Sequence, residues 1–141
     1  NPNAPTGELL PVSAIEEMVE IVERESPQTV ADYRARLEQK MREVLDGAGV
    51  EESRILTEAA IFADKVAVDE ETVRLRSHIA QMREMLDSDK PVGRKLDFLV
   101  QEMNRETNTI GSKCQNAEIA HIVVDIKAEI EKIREQVQNL E

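Results

Sequence analysis

The chain has 141 residues, enough for one domain with a core or for an extended helical array. Charged residues make up 33% and aromatics 2%, with five Gly and five Pro, a profile of long amphipathic helices that excludes a β-sandwich or barrel. The net charge of −11 argues against a general-purpose nucleic-acid binder.

One cysteine, Cys114, excludes an internal disulfide and a multi-cysteine zinc site, and fits a reducing compartment. No apolar run approaches the ~20 residues of a membrane span, and there is no signal-peptide pattern. The first residue is Asn1 rather than Met, as in a fragment or a processed product. Charge is unevenly spread. Residues 1–70 hold 16 acids against 7 bases, residues 116–141 hold 6 against 3, and residues 71–115 hold 7 against 8. A local anion site is therefore expected in the middle segment.

"NPNAPTGELLPVS" has three Pro and a Gly and reads as an irregular tail or linker over 1–13, with a helical domain over 14–141. Ser13 is placed to cap a first helix through Ile15, Met18, Val19 and Val22. Ser26 and Pro27 mark the start of a second, with Val30, Tyr33, Leu37, Met41 and Val44, stopped by Gly47 and Gly49. A third carries Ile55, Leu56, Phe62 and Val66, with small residues at Ala59, Ala60 and Ala63 that admit a close neighbour. Asp69 caps a fourth with the seam Leu75, Ile79, Met82 and Leu86. "SDKPVG" reads as a turn, and Pro91 begins a fifth whose stripe is Val92, Leu96, Leu99, Val100, Met103 and Ile110, bent or broken at Gly111. The last helix spaces Ile119, Val123, Ile126, Ile130, Ile133, Val137 and Leu140 by alternating fours and threes, a heptad seam that needs a partner helix. The expected fold is all-α: an extended antiparallel bundle of helical hairpins with a long heptad-patterned C-terminal helix.

No phosphate-binding glycine loop, nucleophile elbow or H-E-x-x-H motif is present. On the fifth helix, Lys95, Glu102 and Glu106 line one flank of the apolar stripe, and Asp97, Asn104 and Asn108 line the other. Glu102 and Glu106 are one turn apart, so their carboxylates can approach one Mg²⁺ or Mn²⁺ ion, or form a solvated edge paired with bases. Glu71 and His78 lie close to the seam of the fourth helix. His78 is a candidate general base or ligand, or a satisfied structural residue. His121, between Glu118 and Asp125, has metal-compatible spacing but sits on a charged face. Arg74, Arg76, Arg94, Lys95, Arg105 and Lys113 form the basic set, suited to phosphates or to pairing with local acids. Stacking aromatics are nearly absent, so any RNA contact relies on backbone and shape.

"RLRSHIAQMREML", "PVGRKLDFLVQEMNRETNTIGSK" and "KAEIEKIREQVQNLE" resemble the C-terminal half of the YicC/YloC family of bacterial endoribonucleases, over roughly residues 15–141. The family pattern N-R-E-A-N has Thr107 in place of Ala here, and S-K-A or S-K-S becomes Ser112-Lys113-Cys114. The resemblance implies a cytoplasmic, divalent-metal-dependent RNA endonuclease that assembles as a homo-oligomer, a hexamer, and carries an N-terminal domain that this chain lacks. Within that expectation, Glu102 and Glu106 would hold Mg²⁺ or Mn²⁺. His78 with Glu71 would position or deprotonate the nucleophile. Arg74, Arg76, Arg94, Lys95 and Arg105 would hold the RNA backbone. The competing expectation is a helical oligomerisation or RNA-binding adaptor module without activity of its own.

Overall fold

The computed structural model describes the backbone of residues 6–87 and 93–138, and side chains from residue 10 onward within those limits. It contains five helices: α1 (Thr6–Val44), α2 (Glu52–Asp64), α3 (Asp69–Leu86), α4 (Gly93–Lys113) and α5 (Ala117–Gln138). No strand occurs among the described residues.

Four of the helices close a ring. α1 packs on α3, α3 on α4, α4 on α5 and α5 on α1, while the backbones of the diagonal pairs α1–α4 and α3–α5 make no close approach among the described residues. This is a four-helix bundle whose neighbours run antiparallel. The direction is fixed by cross-links. Arg83 pairs with Glu16 and Arg76 with Glu23 between α3 and α1, and Asn116 Nδ2 donates to Thr29 Oγ1 at 3.0 Å at the start of α5. Asn116 also caps α5, its Oδ1 accepting from the N–H groups of Glu118 and Ile119.

The apolar stripes meet inside this ring. Val12, Ile15, Val19 and Val22 of α1 face Leu75, Ile79 and Met82 of α3, Leu96, Leu99, Met103 and Ile110 of α4, and the α5 seam, all in one buried cluster. The heptad seam of α5 thus finds its partners in α1 and α4 of the same chain. Burying each Leu, Ile or Met is worth about 1.5–3 kcal/mol.

Four sequence expectations change. The segment expected to be irregular is helical from Thr6, and α1 does not stop at Ser26–Pro27 but runs on to Val44, 39 residues in all. Pro27 removes one backbone donor, a local loss. Thr29 Oγ1 meanwhile donates to the Glu25 carbonyl at 3.2 Å, and apolar stripes on both sides of Pro27 are held by neighbours. α4 likewise runs through Gly111 to Lys113. There, glycine serves close approach: a Cβ would meet Val123 Cγ1 of α5 at 3.1 Å. Asp69 lies in the first turn of α3, with Val68 at the cap position. The expected turn at residues 88–92, including Pro91 and Val92, and the last seam residue, Leu140, lie outside the described residues.

Beyond the ring, the C-terminal half of α1 and all of α2 form a separate arm, for α2 packs on α1 alone. Gly47 and Gly49, at φ +77° and +75°, make the turn between them. Ala59 and Ala63 are buried against α1, as their small size allows. Val44, Leu56, Ile61 and Phe62 remain exposed on this arm.

Candidate functional site

The candidate site lies along one edge of the α3–α4 pair. At about 100° per residue, Lys95, Glu102, Glu106 and Lys113 fall within about 40° of one another around α4. Glu71, Arg74 and His78 occupy the facing edge of α3. Because the helices are antiparallel, these side chains meet as rungs. Lys113 Nζ donates to Glu71 Oε1 at 2.7 Å. Arg74 Nε donates to Glu106 Oε2 at 3.0 Å. His78 faces Glu102 and Glu106, and one ligand atom from each of these three lies within 4.8 Å of the others.

Leu75, Ile79 and Met82 of α3 and Leu99, Met103 and Ile110 of α4 are buried immediately beside these residues. The packed seam therefore sets the register in which the polar groups meet. Glu106 and Glu71 are drawn to the core side of the edge, with side chains 8% and 3% exposed. Glu102 remains more open at 25%.

Arg74 connects the two parts. Its Nη2 lies 3.5 Å from Glu71 Oε1, and its Nη1 lies 3.8 Å from Glu70. The hydrogen bond to Glu106 is the main cause that raises Arg74 above the ordinary arginine value, with the Glu106, Glu71 and Glu70 charges acting in the same direction. This bond uses Oε2 of Glu106 and leaves Oε1 for another ligand. Two buried atoms in the array have no hydrogen-bond partner among the described residues: Glu71 Oε2 and His78 Nδ1. Buried polar atoms are nearly always hydrogen-bonded to protein or water, so each of these atoms has room to accept from a further donor, and His78 Nδ1 is free to ligate.

The donor set fits a divalent ion. Around an ion with ligands at about 2.1 Å, neighbouring donors stand about 3–4 Å apart, against the 4.8 Å within which these three atoms lie. One imidazole with two carboxylates suits Mn²⁺ better than Mg²⁺, which prefers oxygen alone.

The structure thus brings together His78, Glu102 and Glu106, with Arg74 and Glu71 alongside. It separates others. Arg76 is on the α1 side of α3, where its Nη2 lies 2.5 Å from Glu23 Oε1. Arg94 and Arg105 are exposed on α4 away from the edge, Arg105 making a 3.9 Å approach to Glu102, while Lys95 is exposed at the far end of the edge itself. His121 is exposed on α5 and joins no candidate metal group among the described residues. Cys114 is half-buried, its Sγ donating to the Gly111 carbonyl. Lys113 stood in the basic set of the sequence, but its pairing with Glu71 on this edge was not foreseen. The signal was its helical phase, two turns after Glu106.

Residues 22–141 match the family model described as endoribonuclease YicC-like, C-terminal. The chain belongs to this family. A relative from Clostridioides difficile (strain 630), named "Probable endoribonuclease YicC", is 49% identical over 124 residues, covering 87% of this chain and 42% of the relative. One of the same name from Haemophilus influenzae is 38% identical over 120 residues, covering 85% of this chain and 41% of that protein. The chain therefore spans about two fifths of the length of these YicC relatives. No helix among the described residues is long and apolar enough to cross a membrane.

Proposed function

We propose that this chain is the ion- and RNA-binding helical domain of a metal-dependent endoribonuclease that cleaves phosphodiester bonds in the cytoplasm. The convergence of His78, Glu102 and Glu106 carries the reading, supported by the names of its YicC relatives. A divalent cation held by these three residues would polarise a phosphate oxygen and make water or a ribose 2′-OH a better nucleophile.

The chain's own groups have separable tasks. Glu106 offers Oε1 to the ion while Arg74 fixes its Oε2. Glu102, more exposed, faces the side from which RNA arrives. His78 is a ligand that also orients the nucleophile. Glu71 acts through the cations around it, because both lie against its Oε1. Arg74, Lys95, Arg94 and Arg105 attract the RNA backbone. Arg76, committed to Glu23, has no part in this arrangement.

Mn²⁺ titration of the chain, followed by calorimetry or by the Mn²⁺ electron paramagnetic resonance signal, tests the site. Wild-type protein binds one ion. Glu106→Gln and His78→Ala each weaken binding by at least the 10–100-fold typical of losing an outer-sphere partner. Equal affinity in all three proteins would refute the assignment.

A second reading concerns the arm. Exposed Val44, Leu56, Ile61 and Phe62 on α1 and α2 favour a role in homo-oligomer assembly, with a hexamer as the expected product. It is compatible with the first, because the arm and the α3–α4 edge are different surfaces.

A further inference from the structure

Lys113 is used twice by the fold, as a cation at the C-terminus of α4 and as the partner of a buried acid. Neither use exhausts it. Its ammonium has three donors, and Glu71 Oε1 is its one partner among the described residues. Its side chain is 33% exposed, against 3% for Glu71. Arg74 is in the same position. Nε is engaged by Glu106 and Nη2 approaches Glu71, yet the side chain is 48% exposed.

One buried carboxylate oxygen thus anchors two cations. With distances of 2.7 and 3.5 Å to that oxygen, Lys113 Nζ and Arg74 Nη2 cannot be more than about 6.2 Å apart. That is a spacing one phosphate group can bridge with two of its oxygens. The pair also lies next to Glu106, on the α3–α4 edge that carries the candidate ion site.

We propose that Lys113 and Arg74 together hold one backbone phosphate of an RNA strand, adjacent to the His78–Glu102–Glu106 set. The phosphate lies against the exposed donors of both cations, and Glu71 keeps those donors side by side. Lys95, two turns before Glu102 on the same edge, meets the strand on the opposite side of the carboxylates. This extends the endoribonuclease reading by naming where the phosphate next to the ion is held.

The test is fluorescence anisotropy of a labelled single-stranded RNA oligonucleotide across a KCl series, in EDTA and again with Ca²⁺, using the chain and its variants. Each lost single-strand phosphate contact lowers the slope of log K against log salt by about 0.7. Lys113→Gln is expected to show that decrease and to bind about tenfold more weakly at low salt, as does Arg74→Gln. Lys113→Arg keeps the slope, since a guanidinium also reaches phosphate and Glu71. A Lys113→Gln protein with the wild-type slope overturns the proposal, and reduced thermal stability alongside that slope identifies the pair as a brace between α3 and α4. Wild-type protein that binds no RNA in either buffer overturns it as well. Mn²⁺ titration separates the two readings: if His78→Ala leaves Mn²⁺ affinity unchanged while Lys113→Gln lowers the slope, the ion assignment fails and the phosphate assignment stands.

Discussion

Gly111→Ala measures how tightly α4, the helix that carries the two candidate ligands, is pressed against α5. An alanine inside a helix is favoured over glycine by about 1 kcal/mol. The new Cβ would stand 3.1 Å from Val123 Cγ1, inside ordinary van der Waals contact. Val123 is buried, and a β-branched side chain in a helix keeps one dominant χ1 rotamer. It cannot swing aside, so the helices must separate slightly. Overpacking of this kind costs about 1–3 kcal/mol, which leaves a net loss of about 1 kcal/mol. For a domain of this size the melting temperature should fall by about 3–5 °C. Thermal denaturation by circular dichroism supplies the number. A double-mutant cycle supplies the mechanism: in a Val123→Ala background the clash is gone, so Gly111→Ala becomes stabilising and the coupling is at least 1 kcal/mol. If Gly111→Ala stabilises the protein equally in both backgrounds, the close approach is not what the glycine serves.

Acid pH should release a cross-link between α1 and α3. The hydrogen bond from Arg76 is the main cause that holds the Glu23 carboxyl below its ordinary value. Its folded value is the lower one, so its stabilisation is fully present above the unfolded carboxylate range and is lost as pH falls through the lowered folded value. The pair is partly exposed, so solvent screening limits it to about 0.5 kcal/mol. Glu23→Gln is expected to cost that much at neutral pH, and urea unfolding of the two proteins should converge at low pH. A constant difference down to the acid limit would mean the loss is not electrostatic. On the arm, Ile61 is 52% exposed, so Ile61→Asp should leave the unfolding free energy of the protomer within about 0.5 kcal/mol of wild type. The same substitution should convert an oligomer to a smaller species by light scattering, and a wild-type monomer would remove the arm from assembly.

Helical periodicity sufficed for most of the core because the bundle buries one stripe per helix. The stripes through Leu75, Ile79 and Met82 and through Leu96, Leu99 and Met103 are found buried where their spacing places them. What periodicity could not give is which helices are neighbours. That choice decides whether a flank residue is solvated or faces another flank. Glu106 is the case in point: as a flank position it reads as half-exposed, yet α3 covers it and supplies Arg74. Pro27 misled for the opposite reason. A local rule ends a helix there, yet α1 runs on: Val12, Ile15, Val19 and Val22 are buried before Pro27, and Val30, Tyr33, Leu37 and Met41 are half-buried after it.

The energetic logic of the α3–α4 edge sets it apart from the other polar surfaces. Pairs such as Arg134–Glu131 are exposed on both sides and cost little to keep or lose. Glu71 and Glu106 have been taken almost completely out of water, and a buried ion pair is often no more stable than well-packed apolar residues of the same volume. A bundle selected for stability alone has no use for this arrangement, since Met or Leu at those positions would extend the seam already formed by Leu75 and Met103. Placing a buried acid at each of two adjacent rungs, each bound to a cation with spare donors, does have a use where phosphate and a divalent ion must sit side by side. One α3–α4 register sets both the Lys113–Glu71 and the Arg74–Glu106 pairs, so a change that shifts it by one turn would lose both together.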